Sequence, residues 1–394
     1  MSFPRLRIAF ITFKFGHQYG GAEAYGVELM LELAKHHDVF VYTHEYDSEC
    51  LQQFNHKVVT APKKGPSWWR IYCYAKNIEQ ELSNQQFDIV HSHINGWVAD
   101  VDVLHVKSVR YHAITKANPI QQLLHRLNPR LNMYLRLEKQ RIHTKPPKRT
   151  VVVSEQLKKQ IQKAYKTRYP FDVITPGVHL PTLDPALRQN TRAKLGFSAK
   201  DTVCLLVARN PKNKGLSCLQ AGLQLLPEHI KLLIVGVSPN ELPNLQNQLH
   251  QLKLHQRVTL VAQTPNVDPY YQAADLCVHP TLNDSFGMAP LEAMSYGLPV
   301  ILSSAAYCGF SHYVTDQENA FILHDPHNVD ELAQAITKIT TDTELAQRLQ
   351  RQGLTLAKQF SWSSIAQRYL LIYAEVLAAR LHQRKPTLID PLAD

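Results

Sequence analysis

The stretch "NDSFGMAPLEAMSYGLPVI", Asn283 to Ile301, reads as loop, helix and strand in succession. Pro290 suits the first position of a helix, where its missing N–H would have had no partner. Leu291, Glu292, Ala293 and Met294 favour the helix that follows. Gly297 fits the position just beyond a helix, and Pro299 prevents its continuation. "PVILSS" then reads as a short buried strand of a parallel sheet. Two carboxylates, Asp284 and Glu292, interrupt this apolar segment. On an arbitrary helix they would cap a turn and complement the dipole of the first turn. Here Phe286 and Gly287 stand at the junction, where glycine lets a ligand approach the backbone. The free N–H groups of a helix N-terminus favour phosphate at such a place.

The same alternation runs outward from this stretch. "RIAFITF" (Arg7–Phe13) reads as a buried strand, "AEAYGVELMLELAKHH" has helical apolar spacing, and "DVFVYT" (Asp38–Thr43) is a second strand. That is a βαβ unit, which implies a parallel sheet. Phe87–His93, Val101–Val106 and Thr150–Ser154 add strands. The Pro- and Gly-rich "VITPGVHLPTLDP" (Val173–Pro185) marks a domain boundary. Beyond it, strands at Thr202–Ala208, Ile230–Gly236, Val258–Ala262 and Leu276–Pro280 alternate with helices from Leu216 and Asn240. The expected fold is α/β: two doubly wound parallel-sheet domains, with ligands at the carboxyl ends of the strands and in the cleft between the domains. A length of 394 residues and 44% hydrophobic content suit two such domains. The loop after the first strand is not GxGxxG, so the dinucleotide fingerprint is missing.

No apolar run approaches the roughly 20 residues that span a bilayer. The first fifteen residues lack a signal-peptide cleavage pattern. Six scattered cysteines without a CxxC pair point to a reducing compartment and away from zinc. The net charge of +10 is concentrated: from Lys107 to Arg149 eleven Lys and Arg face one acid, Glu138. Within that segment "NPIQQLLHRL" and "NPRLNMYLRLEKQRI" each begin with a capping Asn and a helix-starting Pro. Apolar residues at helical spacing alternate there with basic ones, which reads as a helix for an anionic membrane surface. The bland reading is a solvated face over an ordinary core stripe. A basic, non-catalytic nucleic-acid-binding protein is the rival from another class, but no nucleic-acid-binding module is found, and that rival leaves the two acids unexplained.

Taken together, an acid, "FGM" and "EAMSYGLPVI" resemble the E-x7-E signature of retaining nucleotide-sugar glycosyltransferases of family 4, which have the two-domain GT-B fold. "ARNPKNKGL" (Ala208–Leu216) resembles that family's phosphate-binding segment, with Arg209 and Lys214 as its cations. "YGGAEAYG" resembles its glycine loop at Gly20 and Gly21, and "YYQAADLCVHPT" (Tyr270–Thr281) the lead into the signature. "CGFSHYVTDQENAFIL" (Cys308–Leu323), with the basic segment, is similar to the lipopolysaccharide-core glucosyltransferase I subfamily. One departure is that Asp284 stands where the family usually has Glu.

The resemblance implies GT-B, two Rossmann-like domains facing a cleft: residues 1–177 for the acceptor, joined by a C-terminal crossover helix at about 363–394, and residues 178–362 for the nucleotide sugar. It implies that Glu292 binds the ribose, that Asp284 binds the sugar hydroxyls, and that the helix after Phe286, Gly287 and Met288 receives the pyrophosphate. Arg209 and Lys214 would meet the charge growing on the leaving diphosphate, in place of a metal. His105 resembles a family histidine near the reacting sugar, with Asp102 as the alternative and His91 and His93 behind them. "DVD" (Asp100–Asp102) matches a metal-binding DxD but lies in a strand-like run. The implied reaction is transfer of glucose from UDP-glucose, with retention and without a metal or other cofactor, to a lipid-linked or lipopolysaccharide-core heptose. The implied place is the cytoplasmic face of the inner membrane, on its anionic surface. A different donor, a different acceptor or sugar-nucleotide epimerisation are the nearby enzymatic alternatives.

Overall fold

A computed structural model describes residues 4–105, 108–115, 118, 127–142, 147–284 and 286–384. The chain divides into two compact units, Met1–Gly177 with Trp362–Asp394, and Val178–Ser361.

The first unit is built on a seven-stranded sheet. Its strands are β1 (Arg7–Ile11), β2 (Asp38–Thr43), β3 (Asn55–Val58), β4 (Ile89–Ser92), β5 (Val101–Leu104), β6 (Arg149–Val152) and β7 (Asp172–Val173). They pair in the order β3-β2-β1-β4-β5-β6-β7, all parallel. Both faces of the sheet are covered, so β1 is apolar from Ile8 to Ile11 rather than alternating. Ile8 and Phe10 pack on one side with Leu29, Met30 and Leu33 of the helix Gly21–Ala34 and with Ile365, Tyr369 and Tyr373 of the helix Trp362–Arg384. Ala9 and Ile11 pack on the other with Tyr74, Ala75 and Ile78 of the helix Ser67–Ser83. Gly177 admits this return of the chain, because a Cβ there would stand 2.7 Å from the Trp362 indole.

The second unit has six parallel strands: β8 (Thr202–Val207), β9 (Ile230–Val237), β10 (Val258–Ala262), β11 (Leu276–His279), β12 (Val300–Ser303) and β13 (Phe321–Leu323). Their order is β10-β9-β8-β11-β12-β13. Strand order therefore reverses between β8 and β11, as it does between β1 and β4 in the first unit. Such a switch point leaves an opening outside the carboxyl ends of the two strands, where doubly wound sheets take their ligands.

Local expectations need two corrections. The helix after Gly287 begins at Met288 and not at Pro290. Gly287 caps it at φ 102, and Pro290 falls third, still among the N–H groups a helix leaves unpaired. Glu292 consequently lies beyond the first turn and does not serve the dipole. In the basic segment, Asn128 caps the helix Pro129–Ile142 through its side chain. Arg130, Arg136 and Lys139 on that helix are exposed. Arg141, read as part of the same basic face, is 2% exposed and belongs to the interior. Lys107, Lys116, Ile120, Leu123, Leu124, Arg126 and Lys145 lie outside the described residues.

Candidate active site

In the second unit the loops after β8 and β11 are tied together. Leu282 N–H donates to Asn213 O at 3.0 Å, and Thr281 Oγ1 donates to the same carbonyl at 3.3 Å. Gly215, at φ 82, follows Lys214 because a Cβ there would collide with the Pro280 carbonyl. This brings the Lys214 ammonium to 2.5 Å from Asp284 Oδ2. His279 Nε2 donates to that same oxygen at 3.1 Å. The Asp284 backbone is fixed in turn, its N–H donating to Tyr307 O at 2.7 Å and its carbonyl accepting from Gly309 N–H at 3.0 Å.

The electrostatics follow from burial and these partners. Burial alone would raise the Asp284 carboxyl, but the His279 hydrogen bond and the Lys214 charge outweigh it and hold the group well below the usual range. Burial keeps the His279 imidazole neutral by lowering its pKa. His279 Nδ1 is buried without a hydrogen-bond partner among the described residues. Among the described residues Asp284 Oδ1 accepts only a long bond, 3.4 Å, from Phe286 N–H, and so has capacity left for a ligand. Arg209, just beyond β8, is exposed and makes no hydrogen bond or ion pair among the described residues. One cation is therefore held by the acid, and the other stands free beside it in sequence.

Phe286 is buried and Met288 half-buried at the start of the helix Met288–Ser295, which has no side-chain cap among the described residues. Its first N–H groups remain available to a ligand. Glu292 faces a different partner. Tyr271 Oη donates to Glu292 Oε2 at 2.6 Å, and the Tyr271 ring stacks on Tyr296 at 4.8 Å. Burial raises the Glu292 carboxyl, against the lowering effect of that hydrogen bond. His279 and Tyr271 escaped the reading of the sequence. A lone histidine inside the apolar "LCVHP" was the one signal for His279.

The remaining residues lie in the first unit. Gly20, at φ 148, precedes the helix Gly21–Ala34, and a Cβ on Gly21 would meet nothing within 4 Å. Asp102 on β5 is engaged internally. Arg141 Nε donates to its Oδ1 at 3.3 Å, while the same guanidinium donates to Asn95 Oδ1 and to the Val103 carbonyl. Burial raises the Asp102 carboxyl to about 6 in spite of Arg141. Asp100 pairs with Arg380 and accepts the Val90 N–H. Both carboxylates of "DVD" thus serve arginines. Among the described residues no group of three His, Cys, Asp or Glu is placed to hold a metal ion. His105, half-buried just past β5, bonds through Nε2 to His93 Nδ1 at 3.2 Å.

A sheet that reverses its strand order, with cations and acids on the loops at the reversal, defines a doubly wound α/β fold that takes its ligand at the switch point. Residues 19–181 match the family model "Glycosyltransferase Family 4", and residues 188–355 match "Glycosyl transferases group 1". The chain belongs to this family of GT-B glycosyltransferases and is an enzyme of that kind. Lipopolysaccharide glucosyltransferase WaaG of Escherichia coli K12 is 23% identical over 86% of this chain and 90% of its own length. A D-inositol 3-phosphate glycosyltransferase of Thermobispora bispora is 32% identical, over 54% of this chain and about half (52%) of its own length. Among solved structures, that of WaaG, a glycosyltransferase involved in lipopolysaccharide biosynthesis, superposes with a TM-score of 0.71 at 22% identity, covering 93% of this chain and 99% of that one. The Anabaena protein HepE in complex with UDP and glucose gives a TM-score of 0.71 at 19% identity, over 94% of this chain and 100% of that one. At these identities the structural likeness concerns the fold.

Proposed function

We propose that the protein is a retaining, metal-independent hexosyltransferase that moves glucose from UDP-glucose to a heptose of a lipopolysaccharide inner core. The observation that carries this reading is the Lys214–Asp284–His279 constellation at the switch point of the second unit. Asp284 holds the Lys214 ammonium in one place, so its field is already aimed when charge develops on a leaving diphosphate. Arg209 adds a planar fork that matches phosphate oxygens. The uncapped helix at Met288 supplies N–H groups to the same anion. Asp284 Oδ1 is left for a sugar hydroxyl, and the second oxygen of Glu292 for the ribose. Residues 178–361 then bind the donor, and the first unit binds the acceptor. Retention follows when the acceptor attacks on the face the phosphate leaves and a phosphate oxygen takes the acceptor's proton. That scheme needs no enzymic nucleophile.

The similarity to WaaG over most of both chains supports the glucose donor and the lipopolysaccharide acceptor, and the UDP and glucose bound by HepE support the nucleotide. Asp284 favours a second reading in one respect. Its shorter side chain places the carboxylate about one methylene further back than the family's usual Glu, which suits a donor other than glucose. The D-inositol 3-phosphate glycosyltransferases, by their name, supply a relative for a different acceptor. Docking through the basic segment 107–149 to anionic lipid at the cytoplasmic face would bring a lipid-linked acceptor within reach. No described helix is long and apolar enough to cross a membrane.

The test is transfer from UDP-, GDP- and ADP-sugars to truncated core lipopolysaccharide in excess EDTA. Glucose transfer from UDP-glucose is expected. Preference for another donor selects the second reading, and activity that returns only with manganese or magnesium overturns the metal-independent part. Arg209→Ala and Lys214→Ala should each lower kcat about 10²–10³-fold with a smaller change in KM, because the leaving-group charge peaks in the transition state. Weaker nucleotide binding at unchanged kcat would reduce both to ground-state phosphate contacts.

A further inference from the structure

We infer that Tyr373 of the last helix, acting through His91 and His93, holds His105 as the Nδ1–H tautomer, so that His105 meets the nucleotide sugar as a hydrogen-bond donor and not as a base. Four side chains from three parts of the sequence form one file. Tyr373 Oη lies 2.5 Å from His91 Nδ1, His91 Nε2 lies 3.0 Å from His93 Nε2, and His93 Nδ1 lies 3.2 Å from His105 Nε2. A neutral imidazole has one N–H and one lone pair. A file of three neutral imidazoles therefore has only two consistent proton arrangements, one the reverse of the other.

Neutrality is imposed by the surroundings. Burial, helped by His105, lowers His91 to about 3, and burial, helped by the Arg141 guanidinium, lowers His105 to about 3. Burial and the neighbouring His105, His91 and Arg141 push His93 down as well.

Tyr373 decides between the two arrangements. Its side chain is 0% exposed, and among the described residues its hydroxyl has no hydrogen-bond partner except His91. Were His91 to donate, the tyrosine proton would be buried and unpaired, which is the costly choice. Tyr373 therefore donates to His91 Nδ1, His91 Nε2–H donates to His93 Nε2, and His93 Nδ1–H donates to His105 Nε2. The last proton is left on His105 Nδ1. That atom has no partner among the described residues, and His105 is half-buried at the carboxyl end of β5, the side on which doubly wound sheets take ligands. The rings are fixed as well as the protons: Tyr25 packs edge-on against His105 at 4.8 Å, and Tyr25 Oη pairs with Tyr369 Oη at 2.8 Å.

The ligand chemistry this selects is an acceptor oxygen, a sugar hydroxyl or a phosphate oxygen. It rests on the reading of His105 as a residue at the reacting sugar. Tyr373, His91 and His93 are positioning residues that act through His105.

The experiment is the imidazole nitrogen spectrum of the full chain labelled with [15N]histidine, with His105→Gln used for assignment. The wild type should show His105 protonated at Nδ1. Tyr373→Phe removes only the hydroxyl and should shift His105 toward the Nε2–H tautomer. A wild-type His105 protonated at Nε2, or a tautomer unmoved by Tyr373→Phe, overturns the inference. Neither reading needs a substrate, so both stand apart from the donor assignment. A shift of His105 Nδ1–H on adding UDP names a phosphate oxygen; a shift with UDP-glucose alone names a sugar hydroxyl. No shift with either, in protein whose thermal transition UDP raises, overturns the donor role. In kinetics, Tyr373→Phe should lower kcat about tenfold, the worth of one hydrogen bond, at constant KM. It should cost nothing further in a His105→Ala background; an equal loss in both backgrounds makes Tyr373 merely structural.

Discussion

Asp284 and Glu292 are both partly buried carboxyls, yet their surroundings push them in opposite directions. Asp284 is depressed in the folded state, by His279 and Lys214 acting against burial. Its contribution to stability is therefore present above the unfolded value of about 4 and is lost as pH falls toward its folded value. Asp284→Asn should lower the melting temperature at pH 7, and the gap to wild type should narrow by pH 3. A gap independent of pH would mean that the ion pair contributes nothing. Glu292 is raised by burial, so its ionised form costs stability as pH rises through the folded value. Glu292→Gln should accordingly leave the melting temperature at pH 7 unchanged or higher, while the stabilisation conferred by UDP largely disappears. Retained UDP stabilisation would return Glu292 to a structural role. A residue that weakens the fold and strengthens ligand binding is the usual mark of a site.

At the scale of elements, the helix Met288–Ser295 depends on a backbone conformation more than on its own propensity. Gly287 holds φ 102, and a Cβ there would lie 2.7 Å from the buried Cys308 Sγ. Gly287→Ala should destabilise the protein by about 1–3 kcal/mol and weaken nucleotide binding beyond what that loss of stability explains, as read from UDP titrations well below the melting temperature. Binding that survives intact would separate this helix terminus from the nucleotide. The strands were legible because burial on both faces makes each a short apolar run, as in "RIAFI" and "TVCLLV". The helix start was not, because Pro290 is acceptable anywhere in a first turn and only the left-handed Gly287 sets where that turn begins. The strand expected over Val101–Val106 ends at Leu104, and Val106 lies outside the described residues.

At the scale of the whole molecule, part of the excess positive charge lies on the exposed face of one helix. Arg130, Arg136 and Lys139 project from one helix and are exposed, and each is worth up to about 1 kcal/mol beside an anionic leaflet. Reversing these three to Glu should abolish sedimentation with anionic vesicles and leave UDP affinity unchanged. Binding should also weaken with salt, since exposed charges are screened over about 10 Å at 0.1 M. Sedimentation that persists after charge reversal would reduce the segment to a solvated face. Arg141 has no part in this test, because it sits in the interior between Asp102, Asn95 and the Val103 carbonyl, and removing it would leave Asp102 buried and unpaired.

The two doubly wound α/β sheets, the glycine-marked turns and the residue types of the candidate site could be read from the amino-acid order alone. These features are encoded locally, in apolar periodicity and turn chemistry. Which side chain partners which is set by the packing of distant elements. Lys214 meets Asp284, 70 positions away, because strand order reverses between β8 and β11. Tyr271 meets Glu292 because the helix Asp268–Ala273 and the helix Met288–Ser295, on either side of β11, come together. Arg141 turned inward although its neighbours on the same basic helix face water. Tyr373 reaches His91 across 282 positions. A charge or a proton is assigned by its nearest neighbours in space, and those are chosen by topology rather than by the local run of residues.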